Sequence, residues 1–207
     1  MNHKRQNIKI HYQNLFDKHG DAPESVQYSN TESQLKRFEI LFEIDKNMSS
    51  LIDMGCGLAH LYDYLISKKF NGKYLGLDFV PEFIEADKLK FKNDSQASFM
   101  EFDIIKQEIP EGYDFVLLSG VFNNKMNNNK DFMLNGITKM FKSCKKGVAF
   151  NAMSTYVDFQ AEDLYYSNPL EVFDFCKRNL TKKVALRHDY LVKKNSIPFE
   201  YAIYLYK

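Results

Sequence analysis

Two acids and two glycines carry the chemistry that the chain shows most plainly. Leu51-Ile52-Asp53-Met54-Gly55-Cys56-Gly57-Leu58-Ala59 is a short apolar run that ends in an acid and a glycine turn. About twenty residues on, a second apolar run ends in Gly76-Leu77-Asp78. Glycines allow a ligand to approach bare backbone, and they accept dihedrals closed to other residues. A carboxylate at the next strand end can accept from both hydroxyls of a ribose. Strand, glycine turn, helix, strand and acid are the parts of a nucleotide site in a parallel α/β sheet. The dinucleotide form of that fingerprint has a third glycine where this chain has His60.

The elements that must position these residues follow from periodicity. Ile8, Tyr12, Leu15 and Phe16 recur at helical spacing. His19 to Pro23 breaks the pattern. Thr31-Glu32-Ser33-Gln34 then reads as a capping box before a second helix with Leu35, Phe38 and Phe42 on one face. From residue 48 strands and helices alternate. Strands are predicted over 50–54, 74–78, 97–102, 113–118, 147–151, 183–190 and 199–206. Helices are predicted from Leu58 (with Leu61, Leu65 and Ile66 inward), from Pro81, across Met133 to Phe141, and from Pro169. The short link Lys193–Pro198 requires its two strands to be antiparallel. The expected fold is α/β: a seven-stranded, mostly parallel, doubly wound sheet with an antiparallel last strand and an N-terminal helical extension. One domain is expected over 1–207, with 1–47 a helical lid and 48–207 the α/β core.

Composition narrows the class. A chain of 207 residues can bury roughly 70% of its unfolded surface without disulfides or metals. With 28 basic and 27 acidic residues, no whole-molecule field recruits nucleic acid or an anionic membrane. Cys56, Cys144 and Cys176 have no metal-ligand spacing, so no metal is expected and a reducing cytoplasm fits. The polar start, Met1-Asn2-His3-Lys4-Arg5, does not read as a signal peptide, and no apolar run reaches membrane-spanning length.

The Asp53-x-Gly55-x-Gly57 form resembles motif I of class I S-adenosylmethionine (SAM) dependent methyltransferases, with Ala59 in place of a frequent third glycine. The element order, ending in an antiparallel hairpin, is also theirs, and the resemblance covers residues 49–207. A group of small bacterial members is similar in Gln34-x-x-Arg37-Phe38, Ser119-Gly120-x-Phe122-Asn123, Asn151, and Leu186-Arg187-His188-Asp189-Tyr190.

The resemblance implies SAM as cofactor and gives each candidate a role. Asp53, Gly55, Cys56 and Gly57 would hold the methionine end. Asp78 would take the ribose hydroxyls; its alternative is a cap on the Pro81 helix. Phe79 would pack on adenine or simply in the core. Asp103 would accept from the adenine amino group while the Ile104 backbone reads the ring; the alternative for Asp103 is a solvated strand-end acid. Ser119 would lie beside the cofactor. Arg37 would pair with its carboxylate or else form an interhelix salt bridge. Asn123, Asn151 and His188 are the catalytic candidates. Asn123 would orient a methyl acceptor or lie in an ordinary loop. Asn151 would flank the same crevice, and His188 would act as a base or pack as a core histidine. Tyr12 and His60 could also face the cofactor, and Tyr156 is a further candidate for the acceptor pocket.

The function expected on these grounds is methyl transfer to O or N of a small polar acceptor, in the setting of bacterial surface-glycan or secondary-metabolite tailoring. The alternatives are an RNA or protein methyltransferase, and a non-catalytic SAM-binding partner protein. The Asn/Asp-Pro-Pro-aromatic turn of base and glutamine amino-methyltransferases is absent after the fourth strand. Monomer and homodimer both stand, with no nucleic-acid or membrane partner expected.

Overall fold

In a computed structural model the described residues are 3–207, with side chains described from residue 7. Met1 and Asn2, the start of the polar stretch noted above, lie outside them. The order is α1 (His3–His19), a 3-10 turn (Pro23–Val26), α2 (Thr31–Phe42), β1 (Ser50–Met54), α3 (His60–Ser67), β2 (Lys73–Asp78), α4 (Pro81–Lys90) and β3 (Ala97–Glu101). It continues with β4 (Phe115–Leu118), a 3-10 turn (Val121–Asn123), α5 (Asn129–Ser143), β5 (Gly147–Met153), α6 (Pro169–Asn179), β6 (Val184–Arg187) and β7 (Glu200–Tyr206).

The seven strands form one sheet in the order β3-β2-β1-β4-β5-β7-β6. Pairs from β3 to β5 are parallel, and β7 runs antiparallel to both neighbours. The chain therefore changes direction across the sheet between β1 and β4, which opens a crevice beyond their carboxyl ends.

Strand side chains alternate between two apolar layers, as the period of two dictates. Ile52, Leu77, Val116, Phe150 and Ile203 meet Ile137 and Met140 of α5 and Cys176 of α6. Leu51, Tyr74, Leu117, Ala149 and Tyr204 meet Leu41 of α2 and Leu61 and Leu65 of α3. Thus α2 belongs to a core layer, while α1 rests on α4 through Tyr12 and Phe16 against Phe83.

The structure corrects four local expectations. Asn30, not Thr31, caps α2: its Oδ1 accepts from Ser33 N–H at 2.8 Å. Asparagine is as good an N-cap as threonine, and it stands one residue earlier. Leu35 and Ile66 are 40% and 44% exposed, at the margins of stripes that α2 and α3 bury elsewhere. The sixth strand stops at Arg187, so His188 lies beyond it. The fourth begins at Phe115, leaving Tyr113 outside.

Candidate active site

The first half of the site is the turn after β1. Gly55 and Gly57 have φ of 76° and 55°, and Ala59 follows at 52°. A Cβ on Gly55 would lie 2.2 Å from Val121 Cγ2, and one on Gly57 would lie 2.7 Å from Val26 Cγ1. Each glycine is therefore required twice, by its dihedral and by what it touches. Leu77 O receives the N–H groups of Gly55 and Cys56, at 2.7 and 3.1 Å, which fastens the turn to β2.

Acids line the floor. Asp78 Oδ2 accepts from Gly57 N–H at 2.9 Å and its Oδ1 from Val80 N–H at 2.9 Å. Both readings of Asp78 therefore meet in one side chain: it supports the start of α4, although Val80 occupies the cap position, and it faces the cavity. Asp53 Oδ2 accepts from the Tyr74 hydroxyl at 2.7 Å. Burial pushes Asp78 up to about 6 and Asp53 up to about 7. Asp87 on α4, beside the Cys56 thiol, is pushed by burial to about 9. A cation placed here would find carboxylates poised to ionise.

The second half is the turn after β4. Gly120 has φ of 77°, and its N–H donates to Asn151 Oδ1 at 2.8 Å. Asn123 Oδ1 accepts from Met153 N–H at 3.1 Å. The N-terminal segment closes over both turns. Tyr12 packs edge-on to Phe79, with ring centroids 6.4 Å apart, and its hydroxyl accepts from Asn124 at 2.8 Å. His60 joins Asp21 at 2.7 Å and Gln34 at 3.0 Å, tying segment, α2 and glycine turn together.

These parts enclose a cavity of about 450 Å³, within the usual range for small-ligand sites. Its walls include twelve of the predicted residues: Tyr12, Arg37, Asp53, Gly55, Cys56, Gly57, His60, Asp78, Phe79, Ile104, Ser119 and Asn123. Asp103, Asn151, His188 and Tyr156 lie off the walls. Asp103 accepts from Ile105 N–H at 3.0 Å and sits 3.5 Å from Lys106. Asn151 is buried beneath the Gly120 turn and shapes it. His188 faces Tyr156 and Tyr201 at ring distances of 5.8 and 6.4 Å, and burial lowers its pKa.

Arg37 reaches the cavity, but its Nε lies 2.9 Å from each carboxylate oxygen of Glu200, with Nη2 also on Oε1. The ion pair considered for it is therefore a buried helix-to-strand one. Glu200 and Tyr28 are wall residues that the sequence reading missed. Glu200 had a signal: an acid opening an otherwise apolar strand must find a partner. Tyr28 stands in a turn without periodicity and had none.

A switch-point crevice between two glycine turns, floored by two strand-end acids, defines a Rossmann-like nucleotide-cofactor protein. The methyltransferase domain family matches residues 52–146. The "Putative methyltransferase Rv1506c" of Mycobacterium tuberculosis is 33% identical over 147 residues, covering 68% of this chain and 86% of that protein. The N-methyltransferase NodS of Bradyrhizobium japonicum WM9, solved with S-adenosylhomocysteine (SAH), shares the fold with a TM-score of 0.67 at 16% identity, over 94% of this chain and 97% of that one. The small RNA methyltransferase HEN1 also shares it, with a TM-score of 0.63 at 14% identity, over 83% of this chain and 25% of that one. The chain belongs to the class I SAM-dependent methyltransferases, and SAM is its cofactor. Among the described residues no helix is long and apolar enough to cross a membrane.

The cavity fits that cofactor. Bare backbone at Gly55 and Gly57 lines it, and the Asp78 carboxylate, which accepts from the Gly57, Val80 and Phe79 backbone N–H groups, retains lone-pair capacity for a ribose hydroxyl. Asp53 stands where a cationic amine would be welcome.

Proposed function

We propose that the protein transfers the methyl group of SAM to a nitrogen or oxygen of a small polar acceptor. The observation that carries this is the roof. Tyr12, Val26 and Tyr28 bring the N-terminal segment over both turns and narrow the site to a cavity of small-ligand size. SAM supplies an activated methyl on a sulfonium. The residues here have to align an acceptor with it and keep water away, and alignment alone is worth several kcal/mol. Asp53, Asp78 and the glycine turn would hold the cofactor. Ser119 and Asn123 offer hydrogen bonds to an acceptor without adding charge. The balanced net charge of +1 gives no electrostatic reason for a nucleic-acid substrate. Tailoring of a surface glycan or secondary metabolite is a setting that matches such an acceptor.

The test is incubation with methyl-labelled SAM and separate pools of small amines and hydroxyl compounds, total RNA, and protein. Label and SAH should appear with the small-molecule pool. Label confined to RNA or to protein would overturn the reading, as would SAM binding without turnover in every pool.

A further inference from the structure

We propose that Tyr28 belongs to the reacting centre: its hydroxyl, set beside Ser119 and Asn123 around Gly120, accepts a hydrogen bond from the acceptor's own N–H or O–H and so turns the acceptor's lone pair toward the methyl group. This rests on the reading that the acceptor enters at the turn after β4.

Tyr28 is placed with unusual care for a residue in a loop. Its N–H donates to Pro23 O at 3.0 Å, just after Gln27 takes a left-handed φ of 62°. Its ring lies edge-on to Phe38, at 6.3 Å, and 5.0 Å under the Arg37 guanidinium, which Glu200 holds in turn. The hydroxyl is thereby delivered 2.7 Å from Ser119 Oγ. A Cβ on Gly120 would come 3.3 Å from Tyr28 Oη and 4.0 Å from Asn123 Nδ2, so the missing side chain leaves a gap between those two polar atoms.

The neighbours fix how the two amides are turned. Gly120 N–H donates to Asn151 Oδ1, so the Asn151 amide nitrogen faces Ser119 Oγ, at 3.4 Å. With Asn123 Oδ1 occupied by Met153 N–H, its NH₂ is the group left toward Gly120. When Tyr28 donates to Ser119, its oxygen keeps lone pairs for an incoming donor. Burial pushes the phenol up to about 12, so at neutral pH it keeps its proton and orients rather than deprotonates. The gap lies at the β1–β4 switch point, where Val121 touches Gly55.

The test needs no acceptor. Sinefungin carries an amine where SAM carries its S-methyl, so its N–H reports on this position, and SAH lacks both groups. Calorimetry with SAH and sinefungin is compared for wild type, Tyr28→Phe and Ser119→Ala. Tyr28→Phe keeps the ring between Phe38 and Arg37. It should hold SAH within about twofold and lose about tenfold in sinefungin affinity, the worth of one hydrogen bond from a charged donor. An unchanged sinefungin-to-SAH ratio, or equal losses for both ligands, overturns the proposal. If Tyr28→Phe folds poorly, Ser119→Ala decides: the ratio should fall in the same direction, and an unmoved ratio overturns it. Methyl label in RNA or protein would defeat the small-acceptor reading without touching this ratio.

Discussion

At the scale of single residues, the two acids under the glycine turn make separable predictions. Asp78→Ala should weaken SAM and SAH alike by about 2–4 kcal/mol, because a charged acceptor is lost. It should also lower the melting temperature, since Gly57 N–H and Val80 N–H lose their partner. Calorimetry showing wild-type affinity would remove Asp78 from the site. Asp53 predicts a pH effect. Its folded value, about 7, lies above the ordinary carboxylate value of 3.8 because of burial. The folded chain therefore keeps a proton that the unfolded chain gives up. The stability linked to it is full below about pH 4 and falls as pH rises through 7. Asp53→Asn keeps an oxygen for the Tyr74 hydroxyl and removes the titration. Relative to wild type, the variant should gain about 2–4 kcal/mol between pH 4 and 8, read by urea unfolding of the cofactor-free protein. Parallel stability curves for the two proteins would show that Asp53 is ionised throughout.

At the scale of elements, the prediction concerns the roof. The Asp21–His60 contact ties the segment after α1 to the start of α3, right beside the glycine turn. Cofactor exchange requires that roof to lift. Asp21 is half exposed, so its share is modest. Asp21→Ala should speed SAH release about two- to fivefold, in line with an exposed pair, with the sheet's unfolding unaffected. A release rate equal to wild type in stopped-flow measurements would show that the latch lies elsewhere. The elements themselves were largely legible. β1 matched its expected bounds, and the short link after residue 192 foretold the antiparallel pair. What failed failed at edges: a cap displaced by one residue at Asn30, and stripe margins at Leu35 and Ile66 left in solvent. Periodicity names a helix face well and its borders poorly, because neighbours decide where burial stops.

At the scale of the whole molecule, the buried Arg37–Glu200 pair joins α2 to β7 across a separation of 163 residues. Removing one partner strands a charge in the core, so Arg37→Met and Glu200→Leu should each cost about 3–5 kcal/mol of stability. The double variant Arg37→Met/Glu200→Leu should cost far less than their sum. Urea titration distinguishes this from a pure cofactor role for Arg37, which would cost affinity and leave stability alone. The same distance explains what the sequence left illegible. Asp53, Gly55 and Gly57 form their turn within five residues, and a local pattern can be read locally. Tyr28 and Ser119 meet across 91 residues, a meeting that no local pattern could announce. Asn151 was expected to close β5, which instead runs on to Met153, and the way its amide is engaged was decided by Gly120, on a neighbouring segment.

The inserted last strand also has a consequence for synthesis. β7 lies between β5 and β6, and it opens at Glu200, 47 residues after β5 closes at Met153. At translation rates of about 5–20 residues per second, β5 emerges about 2–10 s before its neighbour has even been made. For that interval a strand destined for full burial, with Asn151 its one polar side chain, presents an unpaired backbone edge, the condition under which edges capture the wrong partner. Until β7 has been made and has left the ribosome, Arg37 has no Glu200 to meet, and α2 lacks the partner that fixes it to the sheet.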